Sequence, residues 1–204
     1  MPFKLQEVYY FSEPGKDNTE LVLEAVTKAV ERRGIRDIVV ASTSGKTALT
    51  FAKALEDEAR IICVSESSYR REWGSNFPCM EQKVKEKLES MGVIVLDRIP
   101  YILHNSLYES SDYSIPSPET TFRDTLYAFG QGMKVAVEVV LTSVDCGVLE
   151  PYKYVIGVGG SGQGADTGVV LRSTYPATVF AKEKEKKLEI REILAMPLEK
   201  KYWE

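Results

Sequence analysis

The chain changes abruptly from apolar to polar in the stretch Ile38–Ala48, which reads IVVASTSGKTA. Its β-branched start predicts a buried strand, and residues 48–55 repeat apolar side chains at helical spacing. The turn between them, Ser42–Thr47, supplies hydroxyl groups, a glycine and a lysine. A helix start carries unpaired N–H groups and a partial positive charge, which together stabilise an anion. The stretch therefore predicts a strand, a phosphate-binding turn and a helix.

Two other interpretations of this turn compete with phosphate binding. Serine and threonine are ordinary helix caps, so capping alone accounts for part of the hydroxyl content. The sequence Gly45-Lys46-Thr47 also matches the end of the nucleotide-triphosphate P-loop, whose pattern requires a glycine five residues before Gly45. That position is Val40, inside the strand, so the P-loop interpretation fails. Capping stays open as the alternative.

Size and composition limit the classes of protein that fit. The 204 residues are enough for one well-buried α/β domain, and we expect a single domain over residues 1–204. A net charge of −4 argues against nucleic-acid binding, which needs a basic surface. We expect no membrane association and a cytoplasmic location, because no apolar run is long enough to span a membrane and no signal-peptide pattern is present. Three cysteines without CxxC spacing and a single histidine predict no metal site.

Apolar runs alternate with amphipathic stretches along most of the chain. Because parallel neighbouring strands need crossover helices, this alternation predicts a three-layer α/β/α fold with a mostly parallel sheet. Residues 168–196 predict antiparallel strands at the C-terminal end, the last of them, residues 188–196, at an edge of the sheet. Apolar side chains from Phe122 to Val144 step by three or four and predict one long helix, which Gly130 and Gly132 interrupt.

A second polar loop follows the apolar run at residues 154–158. It contains four glycines in the six residues 159–164. Glycine permits positive φ angles and exposes backbone N–H groups, so this loop can wrap an anion or a planar ligand. A plain hairpin turn is the alternative. Gly157–Gly162 also satisfies the G-x-G-x-x-G string, but a strand rather than a helix follows, so the dinucleotide fingerprint lacks its context.

Four polar loops leave strands at the same edge of the predicted sheet. They are the turn 42–47, an aromatic loop at 65–78, the segment 97–108 with His104, and the glycine loop 159–167. In open α/β sheets, ligands bind outside the carboxyl ends of the strands. The sequence therefore predicts a ligand site on this rim. The 65–78 loop is either a wall of that site, with Tyr69 or Trp73 enclosing a planar ring, or a plain surface excursion.

The sequence STSGKTA between a strand and a helix, followed by IICVS, resembles the carboxy-terminal α/β domain of pyruvate kinase. It is more similar still to the small free-standing proteins related to that domain, over residues 18–172. The resemblance implies a phosphate held by Ser42 and Ser44–Thr47, and flavin mononucleotide (FMN) as a type of ligand. The chain has no room for the barrel domain of pyruvate kinase, so pyruvate kinase activity is not expected.

Departures from the pyruvate kinase pattern favour one phosphate over two. Position 43 is Thr rather than a basic residue. The tryptophan and arginine that grip the sugar bisphosphate in pyruvate kinases have no clear counterpart in the glycine loop. A monophosphate is therefore the better expectation for this chain.

Three functions are compatible with these features. The first is binding of a phosphorylated small ligand, with FMN as the leading candidate. The second is an enzyme acting on a phosphorylated metabolite, with His104 or Asp166 as acid or base. The third is a regulatory or self-associating module, for which the Tyr202-Trp203 pair could supply exposed surface. The predicted ligand contacts are Ser42, Thr43, Ser44, Gly45, Lys46, Thr47, Gly159, Gly160, Ser161, Gly162, Gln163, Gly164, Asp166 and Thr167.

Overall fold

The computed structural model describes Phe3 and residues 5–104 and 117–201. Residues 105–108 of the predicted rim segment and the pair Tyr202-Trp203 lie outside the described residues. Within the described ranges, every helix is too short or too polar to cross a lipid bilayer. The elements in chain order are β1 (Tyr9–Phe11), α1 (Thr19–Arg33), β2 (Asp37–Ala41), α2 (Lys46–Ala54), β3 (Arg60–Val64), α3 (Gln82–Ser90), β4 (Ile94–Leu96), α4 (Pro118–Tyr127), α5 (Gln131–Asp145), β5 (Tyr154–Gly159), β6 (Thr167–Arg172) and β7 (Ile190–Pro197).

The described strands form a seven-stranded sheet in the order β1-β7-β6-β5-β2-β3-β4. All of them run in one direction except β6, which is antiparallel to both of its neighbours. The predicted mostly parallel α/β fold with antiparallel pairing at its C-terminal end is confirmed. The prediction that residues 188–196 form an edge strand is wrong, because β1 pairs along the outer side of β7. Periodicity within β7 carries no information about a strand added from the other end of the chain.

Helices cover both faces of the sheet, and the sheet separates two apolar cores. Ile38 and Val40 of β2 pack in the core beneath α1, α2 and α3. Val39 packs in the opposite core, beneath α4 and α5. All three side chains are completely buried. This explains the uninterrupted apolar run of β2, since a central parallel strand is buried on both faces.

The long helix predicted over residues 122–144 is two helices, α4 and α5. Ser117 caps α4, because its Oγ accepts a hydrogen bond from Thr120 N at 3.1 Å. The chain then breaks at Gly130, whose φ of 108° is incompatible with a helix. Gly132 stays helical within α5. The apolar spacing continued across the break because both helices pack on the same core, so periodicity did not reveal it.

Candidate functional site

The turn Ser42–Thr47 and the loop Gly159–Thr167 lie side by side at the carboxyl edge of the sheet. They follow β2 and β5, which are parallel neighbours with Val40 opposite Val158. The connections after these two strands run in opposite directions along the sheet. β2 leads through α2 to β3 on one side, and β5 leads to β6 on the other side. Strands whose connections diverge in this way leave a crevice between them, where ligands of open α/β sheets bind. We therefore expect a ligand crevice between the two predicted loops.

The turn presents backbone donors at the start of α2. The N–H groups of Thr43, Ser44, Lys46 and Thr47 have no hydrogen-bond partner within residues 5–104 and 117–201. The last two are the first residues of α2, where the helix supplies a partial positive charge. The side chain of Lys46 is exposed and adds a full charge. Such a set of donors can bind a phosphate group.

Two of the hydroxyl groups of the turn are engaged within the protein. Ser42 is buried, and its Oγ accepts a hydrogen bond from a backbone N–H of α2 at 3.2 Å, which is the capping role that the sequence left open. Thr43 Oγ1 donates to Glu66 Oε1 at 2.5 Å. Of the hydroxyl groups in the turn, those of Ser44 and Thr47 are therefore left to contact a ligand.

Gly45 has a structural reason to be glycine. Its φ of 81° lies in the left-handed region, which favours a residue without a side chain. A Cβ at this position would lie 2.6 Å from Val84 Cγ1 on α3. The missing side chain therefore makes room for α3, and close approach by an anion is not needed to explain this glycine.

Asp166 holds the glycine loop to the body of the protein. Its side chain is completely buried. Oδ2 accepts hydrogen bonds from Gly15 N at 3.1 Å and Ser161 N at 2.9 Å. Oδ1 accepts one from Thr167 Oγ1 at 2.9 Å. A buried carboxylate that serves several donors is a structural acceptor, so these contacts favour a structural role over the acid or base role considered from the sequence.

Close packing explains most of the glycines of this loop. A Cβ on Gly159 would lie 2.2 Å from Gly132 O of α5, and one on Gly160 would lie 2.5 Å from another backbone oxygen of the loop. Gly162 differs, because a Cβ there would meet no atom within 4 Å. Gly162 and Gln163, at the tip of the loop, are exposed, whereas residues 165–167 are buried. The residues of this loop that can still contact a ligand are therefore the two at its tip, Gly162 and Gln163.

A cluster of polar side chains from neighbouring loops lies next to the turn. Glu66, shortly after β3, accepts hydrogen bonds from Thr43 Oγ1 and from the hydroxyl of Tyr101. Its Oε1 lies 3.2 Å from Arg70 Nη1. Ser65 Oγ donates to Thr43 O at 2.8 Å and ties the same loops together. We call Thr43, Glu66, Arg70 and Tyr101 the Glu66 cluster.

Aromatic rings adjoin the Glu66 cluster. Trp73 stacks on Tyr101 with ring centroids 5.6 Å apart, and Tyr69 meets Trp73 edge-on at 5.5 Å. The Trp73 side chain nevertheless leaves much of its surface open, since the residue is 52% exposed. An exposed indole beside polar groups is suited to packing against a ligand. The role of the 65–78 loop as a wall of the site stays a prediction.

His104 lies on the same rim and is half-buried. Its Nδ1 is 3.4 Å from Arg123 Nη1, and its Nε2 is 3.5 Å from the hydroxyl of Tyr127. Its ring also meets those of Trp73 and Tyr101 nearly edge-on. These contacts join the segment after β4 to α4, so a structural role for His104 stands beside the catalytic one.

A buried ion pair attaches the segment after β4 to α5. Lys134 Nζ lies 2.6 Å from Glu138 Oε2, and both residues are almost completely buried. Glu138 Oε1 accepts a hydrogen bond from Leu103 N at 3.0 Å. Because these groups satisfy one another, the pair holds the segment that carries Tyr101 and His104 against α5.

The start of α5 contains an unusual buried acceptor. Gln131, the first residue of this helix, is 8% exposed, and its Oε1 has no hydrogen-bond partner in the described part of the chain. A buried acceptor without a donor costs about 1–3 kcal/mol. A water molecule or a ligand donor at this position would remove that cost.

The chemistry of the rim does not include a reactive thiol. Cys79 Sγ lies 2.9 Å from Asn76 O, and burial together with the Glu66 carboxylate raises the pKa of this thiol above its usual value. The group is therefore protonated at neutral pH. Among the described residues, no group of three or more His, Cys, Asp and Glu side chains is placed to hold a metal ion.

A separate groove of about 560 Å³ lies at the amino edge of the sheet. Its walls include Asp37 and Arg60, whose side chains pair at 2.6 Å, and Glu150 and Lys153, which also pair with each other. These charges therefore neutralise one another within the protein. The groove is at the opposite end of the strands and contains none of the predicted site residues.

Sequence reasoning located the turn, the aromatic loop and His104 on this rim but missed the Glu66 cluster. Its members come from separate loops, with Glu66 lying 23 residues from Thr43 and 35 residues from Tyr101. The signal available in the sequence was an acidic residue just after a buried strand. The resemblance to the pyruvate kinase domain stays a prediction, since no protein-family model matches this chain.

Proposed function

We propose that the protein binds a phosphorylated small molecule in the crevice between β2 and β5, with the phosphate on the turn after β2. The observation that carries this proposal is the set of unpaired N–H groups on Thr43, Ser44, Lys46 and Thr47 at the start of α2, counted among the described residues. Donors at a helix start bind phosphate without rearrangement of the protein. The exposed ammonium of Lys46 adds to the attraction.

Charges near the turn favour a ligand with one phosphate group. Glu66 is hydrogen-bonded to Thr43 and brings a negative charge to one side of the turn. Arg70 offsets part of this charge because it pairs with Glu66. Two negative groups a few ångströms apart repel each other, so a second phosphate on that side would weaken binding.

FMN is the leading candidate ligand. It joins one phosphate to a planar ring through a hydroxylated chain, so with the phosphate on the turn we expect the ring to pack against Trp73, which is 52% exposed. Stacking of planar rings on an indole is favourable. The resemblance noted in the sequence also implies this type of ligand.

We expect FMN to bind at least about 10-fold more tightly than riboflavin, which has the same ring and chain without the phosphate. Lys46→Ala should reduce this preference by about 10-fold, because the substitution removes a charge-assisted contact with the phosphate. Titrations followed by quenching of flavin fluorescence measure both affinities.

Lys53→Ala is the matched control, because Lys53 lies in the last turn of the same helix. This variant should leave both affinities unchanged. Equal binding of FMN and riboflavin by the wild type would contradict a phosphate site for FMN. Inorganic phosphate should also shift the amide NMR signals of residues 43–47, and unshifted signals at saturation would place the anion elsewhere.

A further inference from the structure

The carboxylate of Glu66 lies directly beside the proposed phosphate turn. Thr43 Oγ1 donates to its Oε1 at 2.5 Å, and Ser65 Oγ donates to the carbonyl of the same threonine at 2.8 Å. The Glu66 side chain is 12% exposed, so it can still be reached from the rim. A negative charge here disfavours a nearby anion but favours a hydrogen-bond donor.

The contacts of Glu66 leave capacity for a further donor. Oε1 accepts from Thr43 and pairs with Arg70, while Oε2 accepts from Tyr101. An ionised carboxylate offers about four lone-pair sites. Within the described ranges, Tyr101 is the donor recorded for Oε2, so this oxygen can accept one more hydrogen bond.

Trp73 provides an apolar surface in the same group of side chains, one ring beyond Tyr101. Its ring stacks on Tyr101, which itself donates to Glu66, and the residue is 52% exposed. A sugar or polyol chain presents C–H groups on one side and hydroxyl groups on another. The indole can therefore pack against the C–H side of such a chain while the carboxylate accepts a hydrogen bond from its hydroxyl side.

We infer that Glu66 and Trp73 form a hydroxyl-binding subsite, and that the ligand is a phosphate monoester of a sugar or polyol. The inference rests on the proposed phosphate site: the phosphate occupies the turn, and a hydroxyl group on the adjoining carbons donates to Glu66. A hydroxyl donating to a carboxylate forms a short, charge-assisted hydrogen bond. A second phosphate or a carboxylate in the same place is repelled, so Glu66 determines which phosphate esters bind.

Two ligands that differ in their hydroxyl groups test the subsite on the unmodified protein. Isothermal titration calorimetry compares ribitol 5-phosphate with n-pentyl phosphate, which has the same chain length without hydroxyl groups. We expect ribitol 5-phosphate to bind about 10- to 100-fold more tightly, as a charge-assisted hydrogen bond contributes that much. Equal affinities would overturn the subsite and leave the phosphate site standing. Absence of binding by both esters and by inorganic phosphate would refute the phosphate site as well.

Glu66→Gln should remove most of the preference for ribitol 5-phosphate, because it keeps the size of the side chain and removes its charge. Its affinity for n-pentyl phosphate should be unchanged or higher. Glu72→Gln, an exposed change on the same loop, is the matched control and should keep the wild-type preference. Full preference in a folded Glu66→Gln protein would overturn the inference. If that variant does not fold, the comparison of the two ligands on the wild type decides the question.

Discussion

Replacing Asp166 by alanine is expected to lower the free energy of unfolding by about 3–5 kcal/mol. The substitution removes a completely buried carboxylate and leaves Gly15 N, Ser161 N and the hydroxyl of Thr167 without their acceptor. Each buried donor that loses its partner costs about 1–3 kcal/mol. Urea unfolding followed by circular dichroism measures the difference from the wild type.

Asp145→Ala is the matched control for this experiment, because Asp145 is an exposed aspartate at the end of α5. Its effect should stay within about 0.5 kcal/mol. A stability close to that of the wild type in the Asp166 variant, together with loss of FMN binding, would contradict the structural role. In that case Asp166 would be a ligand-binding residue, as the sequence suggested.

Gly159→Ala is expected to destabilise the protein by about 3 kcal/mol. The new Cβ would lie 2.2 Å from Gly132 O and 2.7 Å from Ala136 N, and both atoms belong to the backbone of α5. A backbone cannot rotate away as a side chain can, so the helix itself has to move from the sheet. The same urea titration measures the loss.

Gly168→Ala provides the comparison within the same sheet. A Cβ there would find Val26 Cγ2 at 3.4 Å as its nearest neighbour, an ordinary contact with a side chain. Its effect should lie within about 1 kcal/mol of zero, since alanine also restricts the unfolded chain. Equal destabilisation by the two substitutions would show that close packing of α5 on β5 is not the reason for glycine at position 159.

Together these contacts divide the rim into two parts with different roles. On the β5 side, Asp166 and the close packing of Gly159 hold the loop in place. On the β3 side, Glu66 lies beside the turn that follows β2, and Trp73 adds a partly exposed ring. We therefore propose that the β3 side supplies more of the ligand contacts, although the glycine loop was the more conspicuous feature of the sequence.

Local features of the site were predictable because they depend on residues close together in the chain. The apolar run of β2 indicated a strand buried on both faces, and the hydroxyl-rich turn indicated the start of a helix. The alternation of strands and helices then placed the loops after β2, β3, β4 and β5 at one edge of a parallel sheet. All of these inferences need only periodicity and turn chemistry.

The roles of individual loop residues were harder to predict from the sequence. Glycine is used for positive φ angles, for packing and for ligand approach, and the sequence alone does not distinguish these uses. At Gly45 and Gly159 the structure shows that packing requires the missing side chain. Likewise, Asp166 could have been a base or a structural acceptor until its three donors were located.

By itself, the sequence determined the layered α/β architecture, the presence of a helix directly after the turn 42–47 and the edge of the sheet at which the polar loops gather. Only the tertiary structure decided that Glu66 meets Thr43 and Tyr101 across neighbouring loops, and that β7 lies inside the sheet. The physical reason is the range of the interactions. Helices, strands and turns follow from neighbouring residues, whereas contacts between loops depend on the order in which distant strands pair.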